Sequence, residues 1–311
     1  MTLTDDPIKV RARTMSCIYP LRPRTPRTLV ASLCALALLT LSALSPNASY
    51  ALGLDPLLHG LCTGCTSGAP QTSEAAFDGL TKAYGLALAP PRMSPANTIG
   101  INALEVDFAY TLALLNDDTS VWAPAISQAS APKSLSTTHV MIRKGLPYSF
   151  ELEGHLGYMV NSELFTIGGA FKWSLHEAIR AFPIDFMVRG SALRLVGSTQ
   201  LEMNVIGLDA SLGTQFGVLK LFNLAPYISY SPVQVTANST TLDATPGAFD
   251  APGSQLAMSN AATSFVYGRR DHVTHRFGGG MRWLIGLLKI TPEFVWAPDQ
   301  YQINVSLGLH L

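Results

Sequence analysis

The chain has 311 residues, with 21 basic and 21 acidic side chains and only 14% charged residues. That length allows one large domain or two small ones, and zero formal net charge gives no electrostatic footprint for a nucleic-acid partner. Hydrophobic residues reach 48% beside 25 glycines and 20 prolines, values open to a soluble globule and to a barrel with apolar lipid-facing and polar lumen residues.

The first 27 positions are basic, with Arg22, Arg24 and Arg27, and an unbroken apolar and small-residue run follows from Leu29 to Leu44. Pro46 breaks the run, and Ser49-Tyr50-Ala51 offers small residues at the −3 and −1 positions of a cleavage site. This is the order of a secretory signal, and the run is short for a spanning helix, which needs ~20 residues. Residues 1–51 are therefore expected to be a cleaved signal peptide with a long basic lead, Met15 being an alternative start. Cys34 and Cys62 each follow a leucine, which predicts no lipid anchor.

Residues 52–76, rich in Gly, Ser, Thr and Pro, read as a flexible periplasmic lead segment. Within it, Cys62-Thr63-Gly64-Cys65 suggests a small disulfide between Cys62 and Cys65 in an oxidising compartment. A redox or zinc site is the other reading of such a pair, but no second Cys pair and no βαβ pattern accompany it. No metal or cofactor is expected.

From Tyr148 onward the dominant signal is strict alternation. Tyr301, Ile303, Val305, Leu307, Leu309 and Leu311 point one way, and Gln302, Asn304, Ser306, Gly308 and His310 the other. The same dyad runs through 150–158, 165–173, 184–189, 206–213, 277–285 and 290–296, with 225–237 less cleanly patterned. These eight strands suit tilted membrane crossings better than soluble strands of ~5–6 residues. Upstream, Tyr84–Ala89 and Gly100–Leu114 are taken as a further pair, which leaves 116–147 as a long connection. The fold class is thus all-β, a transmembrane antiparallel up-and-down β-barrel of about 8–10 strands over 77–311, with ten preferred. Counting back from a periplasmic C-terminus puts the long polar segment 238–272 on the outer side, as barrels of this type prefer. Gly278-Gly279-Gly280 lies inside a strand pattern and is read as close packing, not a phosphate loop.

The polar faces carry Glu105, Asp107, Glu151, Glu153, Asp185, Asp209 and Glu293 with Lys172, Arg189, Arg276, Arg282 and Lys289. Burying these unpaired is costly, so together with His155 they are expected to form a lumen charge network or to line a narrow wet pore. Glu151, Glu153 and His155 share one face and are weighed as a metal or acid/base cluster; the network is the preferred reading. His155, His176, His272, His275 and His310 are candidates for a barrel lipid hydrolase, although no motif sets a serine beside any of them.

Two passages resemble a group of uncharacterised outer-membrane β-barrel proteins of Gram-negative bacteria. They are Gly79-Leu80-Thr81-Lys82, followed by Tyr84-Gly85-Leu86-Ala87-Leu88 and Ile99-Gly100-Ile101, and the basic Arg143-Lys144-Gly145-Leu146-Pro147. The resemblance spans about 77–311 and implies a barrel in the outer membrane, with no catalytic residues to transfer. The expected role is that of a small outer-membrane barrel, structural, surface-interacting or forming a narrow pore, and not an enzyme. Outer-membrane lipid and, during biogenesis, the barrel assembly machinery are the expected partners. The alternatives are a barrel enzyme acting on lipid and a secreted, soluble, lipocalin-like ligand carrier.

Overall fold

Alternating side chains give a strand two unlike faces, and in lipid no backbone edge can be left unpaired. The computed structural model describes residues 53–63, 71–116, 119–126, 132–175, 184–218, 222–240 and 266–311. Ten antiparallel strands make the wall: β1 Leu104–Leu115, β2 Ser134–Leu146, β3 Phe150–Met159, β4 Phe165–Ser174, β5 Asp185–Val196, β6 Leu201–Gly213, β7 Phe222–Ser239, β8 Arg270–Ile285, β9 Leu288–Ala297 and β10 Gln300–His310. Each pairs with the next, and β10 pairs with β1 with Ile303 opposite Leu112 and Gly308 opposite Asp107, so the sheet closes.

The eight strands expected after Tyr148 are present. The upstream pair is different. Tyr84–Ala89 is not a strand: residues 84–88 close the helix α1, Glu74–Leu88, and Ala89 is its C-cap. The remaining strand is β2, which lies inside the stretch 116–147 that alternation assigned to a connection. The total of ten stands with one member exchanged, and the wall begins at Leu104 rather than near residue 77.

The two ends of the barrel are unlike. At one, here the terminal end, Leu104 N donates to Leu311 O (3.0 Å) and Leu311 N to Leu104 O (2.8 Å). The connections there include 147–149 and 286–287; the far end carries the longest ones, 116–133 and 240–269. Long loops belong on the outer side of such barrels, so the far end faces out and the terminal end faces the periplasm.

Two layers fill the inside. In the far half, the inward residues Leu135, Met159, Leu193, Leu201, Met203, Val205, Val233 and Val235 are buried against α1 through Phe77, Leu80, Tyr84 and Leu88. Ser73 caps α1, its Oγ accepting from Ala76 N (3.4 Å), and Pro90-Pro91 follow its end, where the missing N–H groups stop a helix. Gly85 sits mid-helix because a β-carbon there would overlap Val235. The chain then runs as a strap, residues 89–103, through the terminal half to the start of β1, with Arg92, Met93, Ser94 and Ala96 buried. About eight strands leave an interior just wide enough for side chains; this ten-stranded barrel holds a helix and a strap as well. Small inward residues, Ala109, Ala113, Ala225 and Ala237, leave the room.

Over its described residues the lead segment is packed rather than a free tether, and it sits at the far, outward end of the barrel rather than on the periplasmic side. Leu54, Leu58 and Leu61 are buried at the far end, Leu54 N donates to Asn161 O (2.9 Å) and Leu57 N to Ala125 O (2.6 Å). The backbone of Cys62 pairs with Thr72. Cys65, and with it the proposed disulfide, lies outside the described residues, as do His176 and the expected signal peptide.

Candidate functional site

The terminal half of the lumen brings the sequence-predicted charges together around the strap. On neighbouring strands, inward positions two residues apart put acids beside bases. Arg143 Nε lies 2.7 Å from Glu153 Oε2 and its Nη1 2.5 Å from Asp107 Oδ2. Lys289 Nζ bridges Glu105 Oε2 (2.8 Å) and Asp107 Oδ2 (2.7 Å). Arg189 joins Glu153 Oε1 (2.7 Å) to Asp209 Oδ2 (2.6 Å), and Asp209 also accepts from the Ser231 hydroxyl. All are nearly inaccessible to solvent. Isolated, each charge would cost several kcal/mol to bury, about what mutual pairing returns.

The same network clamps the strap. Glu293 accepts from Tyr227 Oη (2.6 Å), Met93 N (2.9 Å) and Arg92 Nη2 (3.4 Å). Lys172 Nζ donates to Ser94 Oγ (2.9 Å), Pro95 O (2.9 Å) and Asn97 O (2.8 Å), with Glu151 at 3.3 Å. Glu151 Oε1 also accepts from Ile99 N (2.7 Å), and Arg143 Nη2 donates to Arg92 O (3.2 Å). Higher up, Gln302 Nε2 donates to Leu86 O (2.7 Å) at the end of α1. The three glycines of β8 are inside a strand, as read. A β-carbon at Gly278 or Gly280 would collide with Arg92 or Tyr227, the two groups converging on Glu293.

Glu151, Glu153 and His155 do share a face, yet each has different partners. His155 Nε2 meets His139 Nδ1 at 3.0 Å, and His139 Nε2 meets Thr137 Oγ1 at 2.8 Å. His155 thus leaves the ionic network for a stacked pair of rings. Asp185 is also displaced from the buried network and lines an open cavity at the terminal end. Among the described residues, no group of three or more His, Cys, Asp or Glu is set to hold a metal. His272 Nε2 faces both Thr81 Oγ1 (3.1 Å) and Asp78 Oδ1 (3.5 Å). One nitrogen serving both partners leaves no relay through the ring. His275 pairs with Tyr230 and His310 with Glu105.

Arg143, Arg92 and His139 were not among the sequence candidates. Arg143 and His139 belong to β2, which alternation skipped, and Arg92 belongs to the strap. A helical signal for α1 was available: Phe77, Leu80, Thr81, Tyr84 and Leu88 follow i, i+3, i+4, i+7, i+11 spacing after a Ser cap. In α1, burial, with the nearby charge of Asp55 second, pushes the Tyr84 phenol well above its usual range. It keeps its proton and donates to Leu54 O (2.7 Å), tying α1 to the lead segment.

The outside is apolar. Phe108, Val140, Ile142, Leu152, Leu156, Ile167, Ile206, Leu208, Ile228, Phe277, Phe294, Ile303 and Leu307 are all exposed, Ile228 at 65%. Trp173, Tyr230, Trp283 and Trp296 stand among them, residues that favour the membrane–water boundary. A closed barrel that is apolar outside and charged inside is made for lipid, and this overturns the soluble lipocalin-like alternative. The chain is an outer-membrane β-barrel.

No protein-family model and no curated sequence matches the chain. Among solved structures it is similar to the N-terminal β-barrel domain of Pseudomonas aeruginosa OprF, at 10% identity over 68% of this chain and 99% of that one, with TM-score 0.30. It is similar to Neisserial surface protein A at 10% identity, over 67% and 95% of the two chains, with TM-score 0.30. The COG4313 outer membrane channel from Pseudomonas putida F1 shows 10% identity over 72% and 100%, with TM-score 0.31. The membrane setting rests on the apolar belt and the closed sheet, not on these likenesses.

Proposed function

We propose that this protein is a sealed outer-membrane barrel with a structural or surface-contact role, and that it is neither an open diffusion channel nor an enzyme. The observation that carries this reading is the occupied lumen. Apolar packing holds α1 in the far half, and Lys172, Glu293 and Arg143 clamp the strap in the terminal half. The far end, roofed by residues 53–63 and the loops beside them, is the surface presented outward.

A gated narrow pore is the second reading, supported by the polar nature of the strap's clamps, which water can replace. Planar-bilayer recording separates the two. The full mature chain is expected to give no channel steps, and a variant lacking residues 74–97 is expected to conduct. Steady conductance by the full chain would overturn the sealed barrel. Voltage- or ligand-dependent steps would favour the gated pore.

A further inference from the structure

Below the strap, the terminal end opens into a cavity of about 660 Å³ whose walls include Asn97, Gln215, Asn223, Arg282 and His310, with Asp185 on the same wall. Arg282 is only 4% exposed, and its Nε has no hydrogen-bond partner. Among the described residues, no carboxylate lies within 4.0 Å of its guanidinium. Most of the other buried lumen cations do have one: Arg92, Arg143, Lys172, Arg189 and Lys289. Arg276 is the other exception, but it is shut inside the lumen and donates to Ser231 Oγ (3.0 Å). The acids nearest in charge to Arg282 are already engaged: Glu105 by Lys289 and His310, Glu151 by Lys172 and Ile99 N.

A buried guanidinium without a partner is costly, and its planar fork matches a carboxylate or phosphate. Asn223 Oδ1 is likewise buried and unpaired, so the same cavity offers an amide able to serve either polarity after a flip. We propose that this periplasm-facing cavity binds a small anion, a carboxylate or phosphate bearing a hydroxyl, with its charge on Arg282 and its second polar group on Asn223. The site is independent of whether the lumen above it conducts, because the strap lies between them.

The test is calorimetric titration of the purified, detergent-solubilised mature chain with inorganic phosphate and, separately, with lactate. Saturable binding of at least one is expected, with Arg282→Gln weakening it by about tenfold or more, the scale of a lost charge-assisted hydrogen bond. A preference for phosphate or for lactate assigns the anion class. Heat-modifiable gel mobility reports whether each variant is folded. Should Arg282→Gln fail to fold, Asn223→Leu, at the open end of β7, carries the test with the same expected direction. No saturable binding of either anion up to about 10 mM, tenfold above a millimolar dissociation constant, would overturn the proposal. So would equal affinity in wild type and in a folded variant.

Discussion

Glu293 gathers a tyrosine hydroxyl from β7 and, from the strap, the Met93 N–H and the Arg92 guanidinium. Replacing it by alanine leaves all three buried without an acceptor. The expected loss is about 3–5 kcal/mol, the range for stripping one partner from a buried ion pair, measured by urea unfolding in detergent. Lys172→Met removes a charge that serves three strap acceptors and Glu151. Its expected signature is faster hydrogen exchange at residues 94–99 than in wild type, with the β-sheet protected as before; unchanged exchange would show that the strap does not depend on this clamp. Most of these charges were legible as inward polar positions on alternating strands. Their partners were not, because pairing depends on which strands close the barrel and on a strap that has no periodicity of its own.

At the scale of the element, the strands reverse their polarity partway along. On β6, Leu201, Met203 and Val205 face in while Glu202 and Asn204 face out; beyond, Ile206 and Leu208 face out while Asp209 faces in. On β7, Val233 and Val235 are buried while Gln234 is exposed, and then Ile228 and Tyr230 face out with Ser229 and Ser231 inward. The far part of these strands is therefore built like a soluble barrel around α1, and the terminal part like a membrane barrel around charge. This explains why alternation located 206–213 and 277–285 but missed the far ends of β6 and β8, and why 225–237 read as poorly patterned. A single dyad phase was being sought where there are two. It also explains the missed β2, whose outward face mixes Ser136 and Thr138 with Val140 and Ile142. The reversal places a membrane boundary near residue 205 on β6. Leu208→Arg is then expected to destabilise by about 2–4 kcal/mol, as for a cation in the lipid-facing belt, whereas Asn204→Arg is expected to stay within about 0.5 kcal/mol. Equal effects in refolding titrations into lipid vesicles would remove that boundary.

For the whole molecule, the controlling fact is that one chain supplies both the wall and its filling. The closed sheet, the outer-membrane setting and nine of the ten wall strands were readable from alternation, strand length and loop asymmetry; the tenth, β2, was not, and the expected total matches only because part of α1 reads as a strand. The filling was not readable either, since the apolar run Tyr84–Ala89 fits a short strand as readily as one face of a helix, and only the wider spacing from Phe77 separates the two. The consequence reaches function. A charged interior looked compatible with a wet pore, and the strap turns that charge into a clamp. Because α1 and β7 meet at Gly85 and Val235, a cross-link reports the filled state directly. In a chain whose Cys62 and Cys65 are changed to serine, the pair Gly85→Cys and Val235→Cys stands within disulfide reach. Mild oxidation of the folded barrel in lipid is predicted to join the two positions within one molecule, read by mass spectrometry of the digest. Free thiols at both positions in a fully folded barrel would contradict a lumen filled by its own N-terminal segment.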